Sequence, residues 1–414
     1  MGVDVIRVIS NILMKLKFLI RTSLLQVILI MTFVSLNAQN LTIIDITQAK
    51  LGEIPAETIF EKIEFVPLET HKDGLLNMKE ATFYLSEKYI IGMNFLGGAY
   101  LFDRVTGKFI REISSFGPGP DEYTNPLYNY YGFDEENNNL FAGGTYTKYW
   151  ECINIETNKM ESRINKPLSE NNNDFWGAYS PWFLKDNTYI SFVNNRTGKD
   201  KIKLVVFDKE GNIMNRYPNS LEYNRDGMSL YPYFYGIFYY YNNHTYFKEF
   251  NYNDTVFYVD ESKITPHIIF QLGNKQPLYQ HQNDANYNKE KYLINFVYET
   301  GLFVLFNFTY FTETIHASGN TFGKNSTVHT GYFDKKSRQV YISSTPDLKK
   351  SGYTVNGVPA GFYPMSMNRN KEIIAKIDPA ELIQNKEKIA PPFKDLFQNL
   401  LEDDNPIVVI AKLK

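Results

Sequence analysis

The sequence predicts an all-β fold, a six-bladed β-propeller with four-stranded antiparallel blades closed by N- and C-terminal strands, and three observations carry that reading. An alternating apolar strand, an acidic residue, a polar turn and a second strand recur five times, as "AYLFDRVTGKFIREI", "CINIETNKMESRI", "LVVFDKEGNIMNRY", "VFYVDESKITPHIIF" and "TGYFDKKSRQVYIS". The acidic positions Asp103, Glu156, Asp208, Asp260 and Asp334 are spaced by 53, 52, 52 and 74 residues. Such a period accommodates four short strands with their turns, the unit of a propeller blade, and excludes helical solenoids. Third, the strand "EKIEFVPLET" at residues 61–70 precedes the first repeat and has no N-terminal blade to belong to.

In chain order, residues 1–38 read as a signal peptide. Lys15, Lys17 and Arg21 precede the apolar run "TSLLQVILIMTFVSL", and Ala38 offers a small residue for cleavage before Gln39. Met14 is a candidate initiator, because "MKLKFLIR" is a better charged start than "MGVDVIRVIS" with its Asp4. The apolar run is shorter than the roughly 20 residues of a spanning helix, which favours cleavage over an uncleaved anchor, and no later segment qualifies as a span. No cysteine sits at the cleavage site, so the product is expected in the periplasm or outside the cell without a lipid. The lone Cys152, in the strand "YWECINIE", rules out a disulfide within the chain and reads as a small buried hydrophobe.

Residues 39–414 are expected to form a single propeller domain. The strand at 61–70 should complete the blade begun by the C-terminal strands, leaving no long unpaired edge, with "LTIIDIT" adding a further strand beside it. Within one repeat, "NYYGFD" reads as the innermost strand, "ENNN" as a turn, and "LFAGG", "YWECINIE" and "KMESRI" as the second, third and outermost strands. Aspartate, asparagine and glycine suit the turns because they tolerate positive φ or bond their own backbone, so the five repeated acids read as turn openers rather than a catalytic set. The longest spacing places about 22 extra residues around "QPLYQHQNDANYNKEKYLINFVYE", largely in the crossover into the fifth repeat. "GFYPMSM" and "EIIAKID" supply two more strands. A helical insertion at about 379–403 follows, with Asp378 as N-cap, Pro379 at the first helical position and Glu381 three residues after the cap. One helix is expected over "PAELIQNKEKI" and a second over "PPFKDLFQNLLEDD", before the final strand "PIVVIAKLK".

The run "FEKIEFVPLET", the loop "FGPGPDEY", the repeated "FD…GK" hairpins and the terminal "EDDNPIVVIAKLK" together resemble the secreted six-bladed β-propeller family of Gram-negative anaerobic bacteria, whose repeats are similar to NHL repeats. The resemblance covers essentially all of residues 41–414 and implies the fold but no substrate. Asp121 departs from it, standing where such loops often carry glycine.

With 414 residues, 43% hydrophobic and 16% aromatic, the chain can bury a large core. Its 43 basic and 46 acidic residues leave a net charge of −3 with no basic block, which excludes a nucleic-acid footprint. No H-E-x-x-H, Walker loop, G-x-S-x-G or Cys/His metal spacing is present, so no catalytic residue, metal or cofactor is assigned. Paired carboxylates brought together from different blades leave no linear signature, so a propeller hydrolase or lyase acting on polysaccharide or peptide is the alternative reading. The first reading is a non-catalytic, monomeric binding propeller for a glycan, peptide or partner protein at the channel mouth.

The candidate contacts lie in outer-to-inner crossovers, which converge on one face. In "FGPGPDEYTNP", glycines and prolines stiffen the loop, and Asp121 and Glu122 either stay solvated as turn acids or hold a cation or sugar hydroxyls. "NNNDFWGAYSPW" and "SLYPYFYGIFYYY" bring Trp176, Tyr179, Tyr231 and Tyr233 toward the same face, where they stack on a ligand or pack between blades. His281, in the extended crossover, is either an ionisable ligand contact or an inert surface histidine.

Overall fold

The structure, a computed structural model, describes residues 41–78, 80–94, 98–113, 128–144, 147–167, 180–185, 187–195, 197–223, 236–281, 284–317, 320–344 and 352–414. Among the described residues, six four-stranded antiparallel blades are formed, five in succession along the chain and the sixth from both its ends. Blade one comprises Thr82–Leu85, Tyr89–Met93, Ala99–Asp103 and Phe109–Ile113. Blade two comprises Tyr128–Asp134, Asn139–Gly144, Tyr149–Asn154 and Lys159–Asn165, and blade three Trp182–Lys185, Thr188–Phe192, Ile202–Asp208 and Ile213–Pro218. Blade four is Gly236–Tyr241, His244–Glu249, Thr255–Val259 and Ile264–Gln271; blade five is Leu293–Glu299, Phe303–Ala317, Asn320–Asp334 and Gln339–Ser343. Blade six joins Ser366–Met367, Glu372–Ile377 and Ile407–Leu413 to Phe60–Pro67.

Middle strands are covered on both faces by neighbouring blades, so they read as near-continuous apolar runs: every residue of Thr188–Phe192 is buried. The outermost strand Lys159–Asn165 instead alternates between exposed and covered positions, as a strand with one wet face does. Aromatic rings fill the wedges between blades, and Trp150, on blade two, lies 5.9 Å from Phe207 on blade three.

The repeated acids open the turns between third and fourth strands. Asp103 Oδ1 accepts from the amides of Val105 (3.1 Å) and Thr106 (2.7 Å), and Asp334 Oδ1 from those of Lys336 (2.8 Å) and Ser337 (3.0 Å). Asp208 and Asp260 do likewise. Blade two corrects the expected alignment. Its third strand ends two residues early, so Asn154 opens the turn, accepting from the amides of Glu156 (2.9 Å) and Thr157 (3.0 Å). Glu156 points away to Lys88 Nζ, 3.1 Å distant.

The ring closes between the termini. Phe60–Pro67 pairs antiparallel with Ile407–Leu413, from Ile407↔Pro67 to Lys412↔Lys62. Phe60 anchors this join, 2% exposed, with its ring edge-on to Tyr353 at 5.2 Å. Arg104 of blade one crosses to Glu372 of blade six, Nη2 to Oε1 at 2.6 Å, with both side chains largely buried.

Three expectations need correction. The strand from "LTIIDIT" that ends at Asp45 does not lie beside residues 61–70; it flanks the outermost strand of blade four, because Ile44 and Ile46 share an apolar core with Ile268 and Phe270. Lys50–Gly52 similarly runs parallel to the outermost strand of blade five, so this N-terminal stretch shields sheet edges. The surplus before Asp334 is divided. Part is a crossover carrying the short helices Gly273–Lys275, Tyr279–His281 and Ala285–Asn288, and part lengthens Phe303–Ala317 and Asn320–Asp334 into a ribbon of 15 residues per strand. The C-terminal helices are shorter than expected. Asp378 caps Pro379–Ile383 by accepting from the amide of Ala380 at 2.9 Å, but Asn385 leaves helical backbone, so Lys386–Lys388 is a separate 3-10 turn before Pro391–Phe397.

Candidate functional site

The innermost strands of all six blades converge on a cavity of about 180 Å³ along the channel. Its walls are mostly rings: Tyr84 from blade one, Phe133 from blade two, Trp182 and Phe183 from blade three, Phe238 and Tyr240 from blade four, and Tyr298 from blade five. Blade six contributes Ser366 and Met367, followed by Arg369 in the next turn. Small residues bring backbones close to the axis. A side chain at Gly132 would place its Cβ 2.8 Å from Ser180 Oγ.

Trp182 stacks on Phe238, 5.8 Å between centroids, and leans on Tyr240 at 4.8 Å. Its indole Nε1 is buried and has no acceptor among the described residues. The Tyr240 hydroxyl donates to the carbonyl of Phe183, and burial pushes its pKa up to about 12 despite the nearby Arg369. Tyr84 is likewise raised to about 12 by burial, so the tyrosines stay neutral.

A polar clasp spans the channel where first strands turn into second strands. The Arg369 guanidinium lies over the Tyr240 ring at 4.5 Å and bonds Glu136 Oε2 at 2.8 Å. The Arg369 amide donates to Glu135 Oε2 at 2.7 Å. Its turn is braced from behind: Asn368 Nδ2 donates to Glu372 Oε2 at 2.7 Å, and Glu372 holds Arg104. Burial raises the Glu135 carboxyl to about 7; Arg369 opposes the rise, and the Asp134 and Glu372 carboxylates add to it. A carboxyl poised near neutrality inside a cavity marks a candidate functional group. Asp134, beside it, is committed to its turn, accepting from the Glu136 amide (3.1 Å) and Asn137 Nδ2 (2.8 Å).

Of the residues singled out from the sequence, Trp176, Tyr179, Tyr231, Tyr233 and Glu122 lie outside the described residues. His281 ends the helix Tyr279–His281 in the crossover into blade five, stacked on Tyr287 at 4.1 Å, and does not line the cavity. Sequence reasoning missed Glu135 and Arg369. Both sit in polar turns, "DEENNN" and "NRNK", and their meeting joins positions 234 residues apart. The signal within reach was placement, since a residue just after an innermost strand stands at the channel mouth.

A larger depression of about 500 Å³ lies between Glu53–Glu57 and Thr354–Gly361, with Asn385 and Lys388 completing its lining. Among the described residues, no group of three or more histidine, cysteine or acidic side chains could hold a metal ion, and no helix is long and apolar enough to cross a membrane.

The fold is similar to two solved structures. One is a protein from Bacteroides fragilis NCTC 9343, provisionally described as exported, with a TM-score of 0.62, 16% identity, and coverage of 90% of this chain and 100% of that one. The other is a member of the DUF4221 family from Bacteroides vulgatus ATCC 8482, with a TM-score of 0.54, 12% identity, and coverage of 85% and 99%. At such identities the likeness concerns the fold alone. No curated protein matches the chain. The family described as domain of unknown function (DUF4934) matches residues 41–412, and the chain belongs to that family.

Proposed function

We propose that this chain is an exported, non-catalytic binding propeller that seats its ligand in the central cavity. The observation that carries this reading is the lining: seven aromatic side chains from the innermost strands of five blades surround one cavity, with Asp134, Glu135 and Arg369 among its few polar groups. Cavities dominated by rings, with few convergent polar groups, are the usual form of small-molecule sites. Export rests on the charged start, the short apolar run and Ala38, and agrees with the description of the Bacteroides fragilis relative. The mature chain then begins at Gln39 without a lipid, and mass spectrometry of the exported protein checks this; a retained N-terminus or an acyl adduct would contradict it.

The alternative, a hydrolase or lyase, draws its support from Glu135, whose pKa of about 7 suits a general acid. Glycoside hydrolysis needs a second carboxyl. The neighbouring Asp134 spends its oxygens on backbone and Asn137, which favours binding. The test is a calorimetric screen of the mature chain against sugars and peptides, with turnover assays on every hit. Binding that survives Glu135→Gln without turnover supports the first reading. Turnover abolished by that substitution supports the second. Filling the cavity with Gly132→Leu should abolish binding under either.

A further inference from the structure

Among the described residues, the cavity lining holds more acidic than basic side chains. Asp134 and Glu135 stand in it with Arg369, and the Arg369 guanidinium is already matched, at 2.8 Å, by Glu136, which lies outside the lining. Two carboxyl groups are thus left facing rings with no cation of their own. The rings gather closely around the space, Tyr84 6.1 Å from Phe133 and Trp182 4.8 Å from Tyr240. Aromatic faces carry negative charge, and this set already holds one cation, since the Arg369 guanidinium sits over the Tyr240 ring at 4.5 Å.

Given that the cavity binds a ligand at all, as proposed above, we infer that it takes a trimethylammonium head group of the choline type, with Glu135 as its counter-charge. Size admits such a group. About 180 Å³ is the space of roughly six waters, below the roughly 300–1,000 Å³ of pockets for drug-sized ligands. The balance of charge disfavours an anion. Acceptors decide which cation fits. Glu135 Oε2 already accepts from the Arg369 amide, Asp134 accepts from the Glu136 amide and Asn137 Nδ2, and the Tyr240 hydroxyl donates to the Phe183 carbonyl. A primary ammonium would bring three N–H donors into that space and leave most of them unmet. A quaternary ammonium has none, and needs only ring faces and a nearby negative charge.

Glu135 couples such a ligand to pH. Its pKa stands at about 7, with burial the main cause, so near neutrality it carries its proton about half the time. A cation among the rings favours the ionised form, which makes ligand binding and proton loss one linked event. The other ionisable groups around it are Asp134 and Glu136 on its own turn, Arg369 and Glu372 on blade six, and the phenols of Tyr84, Tyr240 and Tyr298. Asp134 and Glu372 add to the rise at Glu135 and Arg369 opposes it. Burial raises Tyr84 and Tyr240 to about 12 and Tyr298 higher, so the phenols keep their protons.

The experiment is calorimetric titration of the mature chain with choline, tetramethylammonium, phosphocholine and 3,3-dimethylbutan-1-ol, the uncharged isostere of choline. Binding is located by 13C-methyl NMR at Met365 and Met367, which line the cavity and are assigned by substitution with Leu. Choline and tetramethylammonium should shift both methyl resonances saturably, and the isostere should bind about tenfold more weakly or worse, the loss of a desolvated cation–π contact. Each pH unit by which the bound cation lowers the Glu135 pKa is tenfold in affinity, and an opposite charge within about 4–6 Å lowers it by about 1–3. Choline affinity should therefore rise about tenfold or more from pH 5.5 to pH 8.5. Glu135→Gln should flatten that rise and leave the affinity at pH 5.5 unchanged, whereas a merely structural loss would lower it at every pH. Phosphocholine binding as tight as that of choline marks a phosphorylated or lipid-borne source, and weaker binding marks a free amine; both uphold the head group. An isostere that binds as tightly as choline overturns the cation assignment and leaves channel binding standing. A choline affinity that does not change with pH overturns the pairing with Glu135. Binding that leaves both methionine resonances unmoved overturns the channel location. If neither choline nor tetramethylammonium binds at millimolar concentration, the cation assignment fails, and the sugar and peptide screen decides channel binding by itself.

Discussion

Glu135→Gln isolates a channel carboxyl whose ionisation the fold opposes. In the folded chain the group titrates near 7, against 4.5 for a free glutamate, and burial is the main cause. Below 4.5 both states carry the proton and the difference contributes nothing. As pH rises from 4.5 to 7, the unfolded chain loses its proton first, so the unfolded state gains relative stability and the folded state loses it. At 1.36 kcal/mol per unit the ceiling is about 3 kcal/mol, and partial exposure to solvent reduces this to about 1–3 kcal/mol. Glutamine keeps the shape and still accepts the Arg369 amide, so the packing contribution cancels in the comparison. Urea denaturation of both proteins at pH 5, 6, 7 and 8 should show wild type losing about 1–3 kcal/mol relative to the variant across that range, then levelling. A pH-independent difference, or wild type gaining stability toward pH 8, would refute the argument, since it would mean that Arg369 holds an ionised carboxylate in place.

Phe60→Ala, at the join between termini, should cost about 3–5 kcal/mol in denaturant unfolding, the usual cost of emptying a fully buried phenylalanine site. Lys248 is wholly buried and desolvation lowers its pKa to about 7, so wild type should lose stability relative to Lys248→Met as pH falls from about 10 to 7, followed by thermal melts. Asp334→Ala removes two turn bonds and should cost about 1–2 kcal/mol in the same melts, whereas Asp334→Asn, which keeps an acceptor oxygen, should recover most of that loss.

The architecture was legible because its signals are local and repeated. Five of the six blades carry their own alternation and their own turn opener, so a reader of the chain sees the same local solution five times. The closing strand was legible by elimination, as an unpaired strand at one terminus and an incomplete blade at the other. What misled was composition without geometry. Glu156 has the right chemistry for a turn opener, but strand length put Asn154 there, and only pairing reveals where a strand ends. Ile44 alternates like any edge strand, and nothing local distinguishes the outer edge of blade six from that of blade four.

The channel site was illegible for a related reason. Propeller blades place residues from distant repeats on one axis, so the contacts that define the site join positions with no sequence relation, such as Glu136 with Arg369. Taken singly, each looks like a solvated turn residue, and on the sequence alone that is the better reading. What changes it is the sixfold convergence, which surrounds a surface turn with the rings of five blades and makes a carboxylate costly there. Innermost-strand aromatics such as Trp182 and Tyr240 therefore hold two duties. They wedge neighbouring blades together, and their remaining faces supply the walls of the pocket. A substitution at Tyr240 that lowered stability would not on that account clear it of a role in binding. Phe102, whose ring packs edge-on against Phe109 and does not line the cavity, supplies the control that separates the two duties: its loss should lower stability and leave affinity unchanged.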